Sequence, residues 1–295
     1  MNVWRKIALS TLIILSLGCT VQDLPISVDP AEPQIAVSSL VGPSETFFVT
    51  MSRSFSALSA EDTDDLTQDF IDRLLIDSAL VILEYEGITD TLEAIGDIPG
   101  LFGTQLQTFT DFQVLNLTAF DSTSGEQVSA QSVLLPAVEM DSISITKNDT
   151  LFEDLINFYY RIPDREEENF YVVQAYQLTD GDTTEVDSSD SGSLFFSDQN
   201  FLIYEQLLTD RGAEDGFIEK NEIIEFTSTT DSALVVITNI SEGYYNFLEA
   251  RQRSGGFISS LANEPVNHPT NIENGVGYFS AHQPRAVLVL VREDD

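Results

Sequence analysis

The sequence predicts a mainly β protein made of two antiparallel β-sandwich (Ig-like) domains with a few short helices. Three observations carry this expectation. Short runs rich in Val, Ile, Phe, Tyr and Thr recur from residue 34 onward, several with two-residue alternation. Turn residues punctuate them at spacings suited to a sandwich. Helical spacing, by contrast, shows in only two short stretches.

The chain opens outside this pattern. Trp4-Arg5-Lys6 makes a positive start, Ile7 to Gly18 is apolar, and small residues stand near a cut point, the layout of a signal peptide over residues 1–18. As a helix the apolar run rises only about 18 Å against a hydrocarbon core of about 30 Å, too little for a permanent span. Cys19, the one cysteine of the chain, follows Gly18 directly. A lone thiol cannot form an internal disulfide, and its place resembles a bacterial lipobox, where the cysteine is lipidated and becomes the new N-terminus. Residues 19–33, with Pro25, Pro30 and Pro33, read as a tether reaching up to roughly 45 Å. The membrane is thus met through the N-terminal lipid, each buried methylene contributing about 0.8 kcal/mol.

Residues 34–137 read as the N-terminal Ig-like sandwich. "QIAVSSLV" and "TFFVTMSRS" are strands, the second placing Phe47, Val49 and Met51 on one face. "DSALVILEYEG" is apolar on both faces and suits a central strand. In "FQVLNLTAFDSTSGEQVSAQSVLLP", Leu115, Leu117 and Ala119 alternate with polar residues and Ser124-Gly125 turns a hairpin. Leu66, Phe70, Ile71, Leu74 and Leu75 share a helical face in "DTDDLTQDFIDRLL", whose acidic first turn suits the helix dipole.

Residues 138–295 read as a C-terminal β-rich domain with short helices. "NFYVVQAYQL" alternates, "EIIEFTS" and "SALVVITNI" add strands, and "RAVLVLVRE", apolar on both faces, is expected to be buried. "TDGDTTEVDSSDSGS" is a polar loop. "SEGYYNFLEARQRSGG" is a helix capped by Ser241 and stopped by Gly255-Gly256.

Charge excludes some functions. The chain carries −36, and loss of residues 1–18 removes Arg5 and Lys6 and no acid, leaving 11 basic against 49 acidic residues, a formal −38. Such a surface repels nucleic acid and does not dock on anionic headgroups. A saline habitat, calcium at several loops, or a basic partner would each account for it. With only His268 and His282, a histidine-rich zinc site is excluded and a Ser–His–Asp triad hardly supported. The single Trp, Trp4, lies in the signal segment, which disfavours a glycan-stacking platform.

"ISEGYYNFLEARQ" followed by "EPVNHPTNIENGVGYFSAH" resembles the C-terminal signature of the domain-of-unknown-function 4249 family, lipoproteins of the Bacteroidetes lineage. The order of "IAVSSLV", "VTMSRS", "DSALVILEYEG" and "YYRIPDREEENFYVVQAYQL" fits as well. The most specific part is Pro269, Asn271, Ile272, Gly275, Gly277 and Phe279. The resemblance implies an outer-membrane lipoprotein, an accessory of a TonB-dependent receptor, with no catalytic residue to carry over. Physically the motif reads as structural: Asn274-Gly275 supplies positive φ for a turn, Gly277 allows close backbone approach, and Phe279 plugs a core.

The remaining candidate is calcium at "DRGAEDGFIEKNEIIEF". Aligning Gly216 with the turn glycine of an EF-hand loop brings Asp215, Ile218 and Glu222 to the expected positions, while Arg211 and Ala213 stand where the first carboxylates belong. Asp210 and Glu214 would supply oxygens from shifted positions; a solvated acidic loop is the simpler reading. "DREEEN" (164–169) reads as a solvated hairpin tip, "GLFGTQ" and "SGSLFF" as glycine turns, and "NFYYR" and "GYYNF" as core. The sequence therefore predicts a non-enzymatic, lipid-anchored envelope protein assisting a TonB-dependent barrel in nutrient uptake, its membrane face left open and no cofactor required. The alternative is a calcium-stabilised surface or adhesion module.

Overall fold

Strand alternation sets the core from the first described residues. The computed structural model describes residues 32–42, 46–54, 74–96, 98–106, 110–147, 155–165, 167–178, 200–211, 213, 216–226, 232–253 and 268–292. In β1 (Ile35–Leu40) every second residue is buried, and β2 (Thr46–Arg53) lays Phe47, Val49 and Met51 into the same core. β3 (Ala79–Tyr85), β4 (Ile88–Ala94), β5 (Leu101–Gln105), β6 (Val114–Asp121) and β7 (Gln127–Val133) continue the sheet. β6 and β7 form the expected hairpin, with Leu115, Leu117 and Ala119 fully buried. In the turn the Asp121 carboxylate accepts from the Thr123 N–H at 2.8 Å and the Ser124 hydroxyl at 2.9 Å, and it pairs with Arg53 of β2.

Two short strands from far along the chain complete this sheet. Its order is β14-β7-β6-β3-β4-β5-β2-β1-β15, where β14 is Ile272–Glu273 and β15 is Val276–Tyr278. The two terminal strands are therefore the two arms of one turn, at Asn274-Gly275, and the nine-stranded sheet closes on itself through it.

The second sheet contains β8 (Ser142–Lys147), β9 (Leu155–Pro163), β10 (Phe170–Leu178), β11 (Asn200–Thr209), β12 (Phe217–Glu225), β13 (Ser232–Ile240) and β16 (Pro284–Arg292). Its order is β11-β10-β13-β16-β8-β9-β12. β13 is buried at every position, and Tyr171, Val173 and Ala175 of β10 alternate into the core as expected. The terminal strands β11 and β12 are joined by the loop 210–216, and among the described residues no ladder links them. That end of the barrel-like sheet is a seam. The one α-helix among the described residues, α1 (Glu242–Arg253), starts where Ser241 accepts the Tyr244 N–H on its hydroxyl at 3.3 Å.

The chain is mainly β, but both sheets roll nearly closed rather than facing each other as flat layers. The core moves from one sheet to the other between Leu134 and Val138. It does not stay in the second sheet afterwards, because 272–278 returns to the first. Four local expectations need correction. β16 is largely exposed, with Leu288 at 51% and Leu290 at 65% on one face while Val289 on the other enters the core, so its ladder to β13 pairs the backbone without covering both faces. β3 is central, yet its outer face, including Leu80, meets solvent. "GLFGTQ" contains strand β5, held between β2 and β4. "DREEEN" joins β9 to β10, which are not paired with each other, so it is a crossing and no hairpin tip. The expected helix up to Phe70 and Ile71, the loop 179–193, "SGSLFF" and the Gly255-Gly256 stop lie outside the described residues.

Candidate functional site

Two places concentrate specific chemistry: the closing turn of the first sheet and the seam of the second. The closing turn is the signature read from the sequence. Asn271 uses its side chain as a strand would use its backbone, accepting the Phe279 N–H at 2.9 Å and donating to the Phe279 carbonyl at 2.7 Å. The same amide nitrogen reaches the Gln131 carbonyl of β7 at 3.0 Å. Ile272 and Phe279 enter the first core, where the Phe279 ring meets Phe47 edge-on with centroids 5.6 Å apart. Pro269, half-buried, leads into the turn.

Gly275 does different work from that expected, while Gly277 allows the close backbone approach read from the sequence. Positive φ falls on Asn274 (62°) and Gly277 (98°), and Gly275 has none. Gly275 is there for space: a Cβ would stand 2.6 Å from the Ile35 carbonyl of β1 and 2.8 Å from Val128 of β7. Gly277 lies against Val37 in the parallel pairing with β1, and a Cβ there would meet the Val37 carbonyl at 2.0 Å.

α1 locks onto this turn. The Tyr244 hydroxyl donates to the buried Ser39 carbonyl at 2.7 Å, and its ring packs on Tyr278. Gly243 clears the Tyr278 hydroxyl, which a Cβ would meet at 2.1 Å. Around them Val172, Ile240, Phe247 and Leu248 form a small core shared with Val41 and Tyr278. "GYYNF" is core, as read. So is "NFYYR": Phe158 and Tyr160 are fully buried. Nearby, His282 is buried against Phe47; burial pushes its imidazole down to about 4, with the carbonyls of Leu40 and Ser280 acting the other way.

The seam holds the residues the sequence reading missed. Between β11 and β12 runs a groove of about 740 Å³, with Arg161 of β9, Arg211 of the connecting loop and Lys220 of β12 in its lining. Phe217 and Tyr245 add ring faces, and Glu219 is the one carboxylate of the lining among the described residues. The Arg161 guanidinium lies 4.2 Å over the Phe217 ring and is fixed through Nε and Nη2 by Asp141. Arg211 pairs with Glu168 at 2.7 Å on the exposed rim. Lys220 has no carboxylate partner among the described residues. Below, the Gln206 Oε1 accepts from the phenols of both Tyr160 and Tyr204, which leaves its amide nitrogen free to donate. The Tyr159 hydroxyl donates to Glu219 at 2.7 Å. Scarcity was the only available signal: a chain this poor in cations places three of them along one seam, but their positions in sequence do not foretell it.

Of the calcium candidates, Glu214 and Asp215 lie outside the described residues. Asp210 is buried and engaged: it accepts the Asn169 N–H at 2.8 Å and the Asn169 side-chain amide at 2.9 Å, tying the loop to the start of β10. Glu222 is half-buried in β12 opposite Phe158. Among the described residues no three His, Cys, Asp or Glu side chains form a metal-holding group. Cys19 also lies outside the described residues. No helix among them is long and apolar enough to cross a membrane.

No curated protein matches the chain. Among solved structures it is similar to the FN1–FN3 domains of chicken CNTN1, at 11% identity and a TM-score of 0.24, over 90% of this chain and 70% of that one. It is also similar to the native conformation of E. coli alpha-2-macroglobulin, at 11% identity and a TM-score of 0.22, over 92% of this chain and 15% of that one. The model of the domain of unknown function DUF4249 matches residues 21–286, which contain both sheets up to the start of β16 and the whole closing turn, and the chain belongs to that family.

Proposed function

We propose that this protein is a lipid-anchored, non-enzymatic accessory of a TonB-dependent outer-membrane transporter, holding or handing over an extracellular nutrient. Cys19 carries the reading: the only thiol of the chain stands directly behind the apolar run Ile7–Gly18. Lipid on Cys19 and the tether 19–33 would keep the β body beside the barrel, so that a weak contact is used at high effective concentration. We read residues 34–137 and 138–295 as two Ig-like units with rolled sheets, the first closed by the returning segment 272–278.

The test is capture of the tagged protein from gently solubilised envelopes, followed by mass spectrometry. A stoichiometric β-barrel receptor supports the reading, and recovery of the protein alone sinks it. Cys19→Ala should move the cleaved protein into the soluble fraction; a variant that still sediments with membrane rules out the lipid anchor. Protease treatment of intact cells then reads which face of the membrane the body occupies.

A further inference from the structure

We propose that the seam of the second sheet accepts an extended, lysine- or arginine-bearing segment of a partner protein as an added β-strand between β11 and β12. The strand edges carry the argument. β11 pairs with β10 alone and β12 with β9 alone, so along the seam each keeps a row of backbone N–H and C=O groups that no ladder uses among the described residues. Residues 206–209 of β11 and 217–220 of β12 line the groove between them. Successive side chains of a strand point to opposite faces, so a groove lined by consecutive residues on both sides is bordered by strand edges and not by one face. An unused edge is a template for another strand, and here two such edges stand on either side of one groove.

The seam is built open. The ends of the loop 210–216 are tied to the flanking strands instead of to each other. Asp210 donates its N–H to the Asn169 carbonyl and accepts the Asn169 N–H at the start of β10, while the Gly216 carbonyl accepts the Asp164 N–H at the end of β9 at 2.8 Å. The first sheet shows the closure that the second lacks: there the gap between β7 and β1 is filled by the inserted segment 272–278, which pairs with both. Charge specifies the occupant. β11 and β12 carry Glu205, Glu219, Glu222 and Glu225 against Lys220, and Arg161 and Arg211 beside them are already paired with Asp141 and Glu168. Such edges favour a cationic strand, whereas a second copy of this chain, at a formal −36, is repelled.

This inference does not rest on the transporter reading, because it is tested on the purified chain and a failed envelope capture leaves it standing. Hydrogen–deuterium exchange resolved to single residues is the experiment. In the free chain, alternate amides of β11 and β12 should exchange freely while those of the central strand β13 are protected. Protection at every position of both edge strands would mean that the edges are already paired, and overturns the proposal. The probe is a capped peptide of 10 residues, the length of β11, with lysine at every second position and threonine or valine between. It should bind saturably and slow exchange within 200–209 and 217–225. A peptide with the same lysines and proline at every other position cannot donate to one of the two edges, and should bind about tenfold more weakly or worse. Equal binding of the proline peptide would mean diffuse attraction to an acidic surface, and unchanged exchange on the two strands would mean that no strand is added; either overturns the proposal. So does sedimentation of the free chain as a dimer with both edges protected, which would assign the seam to a second copy.

Discussion

Asn271 and Phe279, eight positions apart, are joined by two hydrogen bonds that run from one side-chain amide to both backbone groups of the phenylalanine. The turn between them supplies strands to both ends of the first sheet, so this one amide holds shut the closure of nine strands.

Asn271→Ala removes both bonds and leaves the Phe279 N–H and carbonyl short of partners in a partly buried place. A loss of about 2–3 kcal/mol is expected, read as a lower midpoint in urea with an unchanged slope. An unaltered midpoint would show that the closure holds without the amide.

Gly277→Ala and Gly125→Ala separate backbone strain from crowding. Both glycines have positive φ, 98° and 79°, but only at Gly277 does a Cβ meet an atom, the Val37 carbonyl at 2.0 Å. At Gly125 nothing stands within 4 Å. Gly125→Ala should cost about 1–2 kcal/mol, and Gly277→Ala on the order of 3 kcal/mol or more, or prevent folding. Similar thermal shifts for the two would remove the close approach of β15 to β1 as a constraint.

His282 makes stability depend on pH. Its folded value is lowered to about 4 by burial against an unfolded value of about 6.5, so between these limits the unfolded chain binds a proton that the folded chain refuses. Stability should therefore fall as pH drops from about 6.5 to about 4, by about 3 kcal/mol from this residue, and rise again on return. His282→Gln should flatten that part of the profile in chemical denaturation at stepped pH; an identical slope in parent and variant would assign it elsewhere.

Asp210 separates a structural loop from a calcium loop. Its carboxylate is taken up by two donors of Asn169, so Asp210→Ala should lower stability by about 2–3 kcal/mol whether calcium or EDTA is present. EDTA alone should leave the parent melting temperature unchanged. A fall of several degrees on chelation, abolished in Asp210→Ala, would restore the calcium-stabilised module as the better reading.

The sequence by itself determined the strands whose apolar residues alternate, such as Leu115, Leu117 and Ala119 in β6 or Tyr171, Val173 and Ala175 in β10, because side-chain period is a local property of extended backbone. It also determined the capped start of α1 at Ser241 and the family, since the signature from Pro269 to Phe279 is contiguous. Partner choice belonged to the tertiary structure. β16 is as apolar as β13, yet one is largely exposed and the other wholly buried, because exposure depends on what ladders and packs beside a strand. That 272–278 would leave the second sheet and close the first could not be read from two- and three-residue strands, which are too short to carry a period. Nor could the groove, whose lining draws Arg161, Arg211 and Lys220 from β9, the segment after β11 and β12, positions far apart in sequence that share one seam only through strand pairing.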